Sequence, residues 1–322
     1  MAVIEQSLGI GVVVAFALVN GINDGGTLMS LGLRSAVSRP WLRLLVLVAV
    51  LGAAPLLIGT AVANTLVQRL VSFEGAVGQG AMLSAVVGTL AVVWLLTSRG
   101  WPTSLTLGLV GALAGAGLAA GLPVGWGMIG LVLLIAAIAP VVGAVGAMTL
   151  HRLIRRLLTV APGIRRHLPS AGHLLQCLAY GTNDGQKMLA VLVLLAGTTT
   201  VVTEVSLTLW ATVVLVFAGG TVLGIARVGP TIDGKILPVR TQQVSLAQLS
   251  GAGAVLASAV VASPVSLTQG LSGGLVGAGV SVTPRRIRWG AVGQIGIAWL
   301  VTLPAAFVAG ALLTTILAAV RS

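Results

Sequence analysis

The strongest constraint on this chain is the recurrence, from end to end, of apolar runs as long as a bilayer is thick. Marking runs and breakers places them at about 7–33, 41–66, 78–98, 102–121 and 126–150, and again at 169–197, 205–226, 244–262, 265–283 and 289–318. A helix needs about 20 predominantly apolar residues to cross the hydrocarbon core. Only 7% of the 322 residues are charged, against roughly a quarter in soluble domains. A soluble enzyme, a disordered chain and a secreted disulfide scaffold are therefore excluded. The fold class is an all-α polytopic membrane protein. Cys177 is the one cysteine, so no intrachain disulfide exists. The first run leads straight into Asn20–Gly26 without a basic n-region, which reads as a retained helix and not a signal peptide.

The formal charge of +12 raises a nucleic-acid reading, and the placement of the charges answers it. Basic residues sit in gaps between apolar runs: Arg34, Arg39 and Arg43; Arg152, Arg155, Arg156, Arg165 and Arg166; Arg227, Lys235 and Arg240; Arg285, Arg286 and Arg288. No aromatic residues interleave with them as a nucleic-acid platform requires. Clusters of this kind mark cytoplasmic loops. With the 34–43 loop inside, the loops at 151–167, 227–240 and 285–288 fall inside too. Both termini then lie outside, leaving only Arg69 and Arg321 on that face. The expected location is the plasma membrane, multi-pass, as in a prokaryotic inner membrane.

The apolar runs fall five on each side of a basic stretch, and the two sides share motifs in the same order. Gly21-Ile22-Asn23-Asp24-Gly25 matches Gly181-Thr182-Asn183-Asp184-Gly185, and Pro102-Thr103-Ser104-Leu105-Thr106 matches Pro264-Val265-Ser266-Leu267-Thr268. Gly111 and Gly115 recur as Gly273 and Gly277. The expected organisation is a transmembrane repeat over 1–150, a basic cytoplasmic linker over 151–168, and a second, inverted repeat over 169–322. An odd number of crossings per copy forces the inversion. Residues 78–121 and 244–283 fit either two full spans or a re-entrant hairpin, the first with its tip at Pro102, since both have equal parity. Inverted repeats are a transporter architecture, with broken helices and the site near the midplane.

Two of the six acidic residues, Asp24 and Asp184, lie within apolar segments, each in an Asn-Asp-Gly sequence. A charge at bilayer depth costs about 2.5–3.5 kcal/mol on insertion scales, so an intramembrane carboxylate points to function. With Asn23 and Asn183, and with carbonyls freed where the helix breaks, these aspartates form oxygen-rich nests for Na⁺ or act as proton acceptors. The bland alternative is a pair of carboxylates capping broken helices. In the second motif, proline favours a first helical turn, and serine and threonine accept bonds from its free N–H groups. Two such helix starts, with Ser104, Thr106, Ser266 and Thr268, make a cradle for a tetrahedral oxyanion. Thr103 and Val265 belong to the same stretches.

At this point the residues resemble the inorganic phosphate transporter (PiT) family. The Asn-Asp-Gly pair is similar to that family's repeated Gly-Ala-Asn-Asp signature, and Gly181–Met188 matches more closely, down to Gln186-Lys187. The stretches 100–106 and 263–268 are similar to its Pro-Val-Ser-Thr-Thr-His repeats, and Trp299–Pro304 resembles its last span. The resemblance runs along nearly the whole chain. It implies cation-coupled uptake of phosphate, with the anion between the hydroxyl motifs and the cations near the aspartates. Where the family has histidine after each threonine, this chain has Leu107 and Gln269, so sulfate stands as the alternative oxyanion.

Lesser candidates are Arg99, which reaches a hairpin tip but aligns with Val261 in the other copy, Lys187 as counter-ion or anion contact, and Gln186 as a neutral substrate contact. His151, His167 and His173 lack metal-ligand spacing and read as surface or packing residues. Trp41, Trp101, Trp126 and Trp289 suit interfacial anchoring. Glu5, Glu74, Glu204 and Asp233 fall near expected loops. No resident cofactor is called for; the expected partners are phosphate or sulfate, membrane lipid, the coupling Na⁺ or H⁺, and a second copy in a homodimer. An intramembrane aspartyl protease would need two aspartates, but its Gly-x-Gly-Asp signature is absent and proteolysis gives no reason for twin hydroxyl motifs. A passive channel or receptor is the remaining rival. The expectation is a transporter, not an enzyme.

Overall fold

The computed structural model describes residues 2–34, 39–73, 75–99, 101, 103–195, 205–227, 240–282 and 284–321. Glu74, Pro102, Glu204, Asp233 and Lys235 lie outside them, as do the side chains of Glu5, Arg34 and Arg227. Helix α1 (Ala2–Asn20) passes through a π-helical turn, Gly21–Gly25, into α2 (Gly26–Arg34). Next come α3 (Pro40–Leu57) and the short α4 (Ala61–Asn64), which runs into a π turn at Thr65–Arg69. Then follow α5 (Gly75–Ser98), α6 (Leu105–Ala119) and α7 (Trp126–Val160). Helix α8 (Leu168–Tyr180) passes through a further π turn, Gly181–Gly185, into α9 (Gln186–Leu195). The chain continues through α10 (Leu207–Arg227), α11 (Thr241–Val260), α12 (Leu267–Val282) and α13 (Trp289–Arg321).

Several sequence expectations change form. The breaks at the two Asn-Asp-Gly motifs are π turns and not uncoiled backbone. The flanking Asn20 and Gly26 keep helical angles (φ −61°, ψ −43° and φ −60°, ψ −43°). A π turn adds a residue to the helical ladder while keeping peptides hydrogen-bonded, which suits a membrane interior where an unpaired backbone group costs several kcal/mol. The apolar run 41–66 is split, because α3 ends at Leu57 ahead of Gly59, whose φ is +128°. The basic stretch after 150 is helical as far as Val160. Arg43, grouped by sequence with a basic loop, is instead buried in α3. Its guanidinium donates to the Gly32 carbonyl, and its own carbonyl lies 3.2 Å from Nε2 of the buried His173. The four flagged tryptophans are all exposed.

Seven helices among the described residues are long and apolar enough to cross a membrane, the first combining α1 and α2 across the π turn. Helices α6 and α12 are not. At 15 and 16 residues and 1.5 Å per residue, each reaches about 23 Å, short of the ~30 Å hydrocarbon core. Both are buried on every face over long stretches, Leu105–Gly117 and Leu267–Leu275. They descend inside the protein, while α7 and α13 carry exposed Leu131, Leu134, Leu300 and Leu312 outward.

The halves exchange partners. Helix α6 packs on α5 and on α13 from the other half, and α12 packs on α11 and on α7. The π turn at Gly21–Gly25 sits against α10, and that at Gly181–Gly185 against α3. The repeated glycines explain themselves here. A Cβ at Gly111 or Gly115 would overlap the carbonyl oxygens of Leu303 or Phe307, and one at Gly273 or Gly277 would overlap those of Pro140 or Ala144. The motif spotted in sequence is the close approach of each short helix to the long terminal helix of the other half. Asn20 and Tyr180, which occupy the same position in the two copies, touch: Tyr180 Oη donates to Asn20 Oδ1 at 2.9 Å. The two copies thus meet through residues at matched positions.

Candidate functional site

The two Asn-Asp-Gly turns and the two hydroxyl motifs converge beside that contact, and every one of these polar side chains is buried. The density of buried polar groups is the opposite of the surrounding core, where α9 from Leu189 to Val193 is buried throughout. The large majority of such groups are hydrogen-bonded when buried.

The centre of the arrangement is Lys187. Its Nζ donates to Thr106 Oγ1 at 2.6 Å, to Asp184 Oδ1 at 2.7 Å and to the Val265 carbonyl at 2.7 Å. The ammonium thus joins the second Asn-Asp-Gly turn to the hydroxyl motifs of both halves. The Lys187–Asp184 ion pair is 0% and 1% exposed. The pairing follows from local geometry, since residues three apart on a helix share a face. Asp184 Oδ2 has no partner.

Asn183 ties in place the tip of the hairpin that α11 and α12 form. Its Nδ2 donates to Ser258 Oγ at 3.3 Å and to the Ser263 carbonyl at 3.2 Å, while its Oδ1 accepts from the Val265 N–H at 3.1 Å. Beyond it, the Ser266 and Thr268 hydroxyls bond one another at 2.6 Å. The first copy is wired differently. Asn23 Nδ2 donates to Asp24 Oδ1 at 3.0 Å, and Thr27 Oγ1 donates to the Asn23 carbonyl at 2.7 Å. Ser104 caps α6 by accepting from the Leu107 N–H at 3.3 Å, and Thr103 meets Thr97 hydroxyl to hydroxyl at 3.1 Å. Asp24 feels the charges of both Asp184 and Lys187.

The geometry therefore gathers Asp184, Asn183, Lys187, Thr106 and Val265 into one bonded cluster, with Asp24 in electrostatic reach. It turns two candidates elsewhere. Gln186 Oε1 accepts from the N–H groups of Val62 and Ala63 at 2.7 and 3.1 Å, capping α4, and its Nε2 donates to the Thr182 carbonyl at 2.7 Å. Arg99 is exposed at the end of α5. Residues that sequence reasoning passed over include Tyr180 with Asn20, and Ser258 and Ser263, which Asn183 binds. Tyr180 carries a readable signal, lying four and seven residues before Asp184 and Lys187 on one helical face. Ser263 opens the second hydroxyl stretch, 263–268, but its tie to Asn183, 80 residues away, carries no signal, and neither does Ser258. Among the described residues no cluster of three or more His, Cys, Asp or Glu occurs. A cation held here draws on one carboxylate and on amide, hydroxyl and carbonyl oxygens, a donor set suited to a hard cation.

The family model described as the phosphate transporter family matches residues 20–176 and 170–310. A Mycobacterium tuberculosis protein named "Probable low-affinity inorganic phosphate transporter" is 34% identical over 312 residues, covering 92% of this chain and 74% of that protein. Proteins of the same name from Rhizobium meliloti and Bacillus subtilis are 29% and 25% identical, covering 94% and 92% of this chain. A solved structure titled "The sodium-dependent phosphate transporter" superimposes with a TM-score of 0.78 over 99% of both chains. At 18% identity it is a likeness of fold.

Proposed function

Because the chain belongs to the phosphate transporter family, we propose that it is a secondary carrier that imports inorganic phosphate together with Na⁺ or H⁺. The observation that carries this reading is the Lys187 junction, where one buried ammonium holds the hydroxyl motifs of both halves beside an intramembrane carboxylate. Phosphate sits between the starts of α6 and α12, against Ser104, Thr106, Ser266 and Thr268, where first-turn N–H groups and the helix dipoles favour an anion. The cation sits at Asp24 with Asn23 as neutral co-ligand. The two halves are inverted copies, and the bodies that rock about the Asn20–Tyr180 contact to expose the site alternately to each side combine elements of both. The exchange of partners between halves supports this, because each short helix is locked to a long helix of the other copy.

Coupling follows from electrostatics. Moving one negative charge into an interior at −100 mV costs about 2.3 kcal/mol, and a dianion about twice that. An uncoupled carrier would expel phosphate. A cation at Asp24 removes the charge that repels the anion, and by linkage the anion tightens cation binding by the same factor. Phosphate is favoured over sulfate because monohydrogen phosphate brings an O–H that a buried carboxylate accepts. Labelled phosphate uptake into proteoliposomes, with and without Na⁺ and pH gradients and with sulfate as competitor, tests the reading. The expected result is accumulation that requires one of the gradients and is blocked by phosphate more strongly than by sulfate. Equilibration without accumulation would indicate a channel, and stronger block by sulfate would replace the substrate.

A further inference from the structure

The two Asn-Asp-Gly turns differ at one chemically decisive position. Three residues after the aspartate, the first copy has Thr27 and the second has Lys187. The Lys187 ammonium has three N–H donors, and all three are taken, by a carboxylate, a hydroxyl and a backbone carbonyl at 2.6–2.7 Å. These are the oxygen classes that a bare monovalent cation recruits. The side chain is fully buried, and so is its aspartate. In the first copy the Thr27 hydroxyl only closes a local bond to the Asn23 carbonyl, and no fixed positive charge follows Asp24 in its own turn.

We infer that Lys187 is a built-in cation. Its ammonium fills, at the second Asn-Asp-Gly turn, the role that a transported cation plays at the first, so the carrier has one exchangeable cation site, at Asp24, and not two. The inference rests on the coupled-transport reading above. The charges of the two turns fit it: Asp24 and Asp184 against Lys187 leave a net −1, which a single monovalent cation neutralises. A second cation at Asp184 would meet a carboxylate already neutralised and an ammonium that repels it. Asn183 is also committed, since its carbonyl oxygen holds the Val265 N–H and its amide holds the hairpin tip. Asn23, by contrast, bonds only its neighbour Asp24 through its side chain. Apart from the unpartnered Asp184 Oδ2, the second copy has turned its cation nest into a structural joint, and the first retains an open donor set.

The test compares the wild-type chain with Lys187→Thr, which installs the first copy's residue, and Lys187→Arg, which keeps the charge. Initial uptake of labelled phosphate into proteoliposomes is followed while Na⁺ is varied at fixed pH and while pH is varied at fixed Na⁺. For whichever ion drives uptake, the expected order is one in the wild type and in Lys187→Arg, rising toward two in Lys187→Thr. If Lys187→Thr is inactive, titration calorimetry of Na⁺ binding to the purified proteins, with proton exchange read from buffers of different ionisation enthalpy, gives the count instead. Lys187→Thr then binds one more equivalent of cation than the wild type. A wild-type order or count of two overturns the inference, and so does a Lys187→Thr variant whose order and count remain at the wild-type value. Failure of the wild type to move phosphate would refute the transport reading, while the cation count would still decide this one.

Discussion

Asn183→Ala separates two roles that its position suggests, a cation ligand and a tie for the hairpin tip. The side chain makes three bonds at zero exposure, to Ser258 Oγ, to the Ser263 carbonyl and from the Val265 N–H. Removing it strands the Val265 N–H and the Ser263 carbonyl in the protein interior. Each of the two buried groups left unsatisfied costs about 1–3 kcal/mol, so the variant should lose about 2–6 kcal/mol of stability. The loss should be local before it is global. The bond to the Val265 N–H alone, at about 1–1.5 kcal/mol, corresponds to roughly tenfold faster amide exchange at that site. Hydrogen exchange read by mass spectrometry on a peptide covering 261–268 measures this, with a peptide from α9 as the internal control. Displacing the tip moves Ser266 and Thr268, so the half-saturation for phosphate should rise at least several-fold while the cation half-saturation changes less. If exchange at 261–268 is unchanged while cation dependence shifts, Asn183 is a cation ligand and the tie is incidental.

Gly273→Ala and Gly115→Ala should each reduce the yield of folded protein sharply, because the new Cβ overlaps a backbone carbonyl that cannot move aside. Gly253→Ala meets nothing within 4 Å and should be neutral or stabilising by up to about 1 kcal/mol; melting of the purified variants tells them apart. Tyr180→Phe removes the bond to Asn20 Oδ1 at the contact between the copies and should lower stability by about 1–3 kcal/mol. It should also slow transport more than it weakens phosphate binding, since the hydroxyl touches neither hydroxyl motif; a variant with unchanged turnover would remove this contact from the rocking axis. Ala262 holds a left-handed φ of 56° just before the buried tip, a conformation costing an L-residue roughly 1–2 kcal/mol. Ala262→Gly should raise the melting temperature without altering phosphate half-saturation.

Much of this was readable in sequence because duplication supplies an internal control. The second Asn-Asp-Gly motif, the second hydroxyl motif and the repeated glycine pair each gave meaning to a first copy that would have said little alone. The glycines carried more than was drawn from them, since their matched spacing encoded the approach of α6 to α13 and of α12 to α7. Three features were out of reach. A π turn and an uncoiled break use the same small and polar residues, so only backbone angles separate them. Gln186 sits beside Asp184 in sequence, yet its amide is claimed by the N–H groups of Val62 and Ala63, a contact across more than 120 residues. Arg43 looked like one more loop charge, because its carbonyl and guanidinium partners come from α8 and α2 and no local spacing records them.

The proposed anion site lies where the hydroxyl motifs of the two halves meet at the Lys187 junction. A density map of the purified protein prepared with saturating phosphate and the coupling cation tests it most directly. The expected result is a tetrahedral feature within hydrogen-bonding distance of hydroxyls from both motifs, Ser104 or Thr106 on one side and Ser266 or Thr268 on the other. A separate, smaller feature should stand against the Asp24 carboxylate. Phosphate density away from both helix starts, with the hydroxyls of Thr106, Ser266 and Thr268 bonded only to protein, would contradict it.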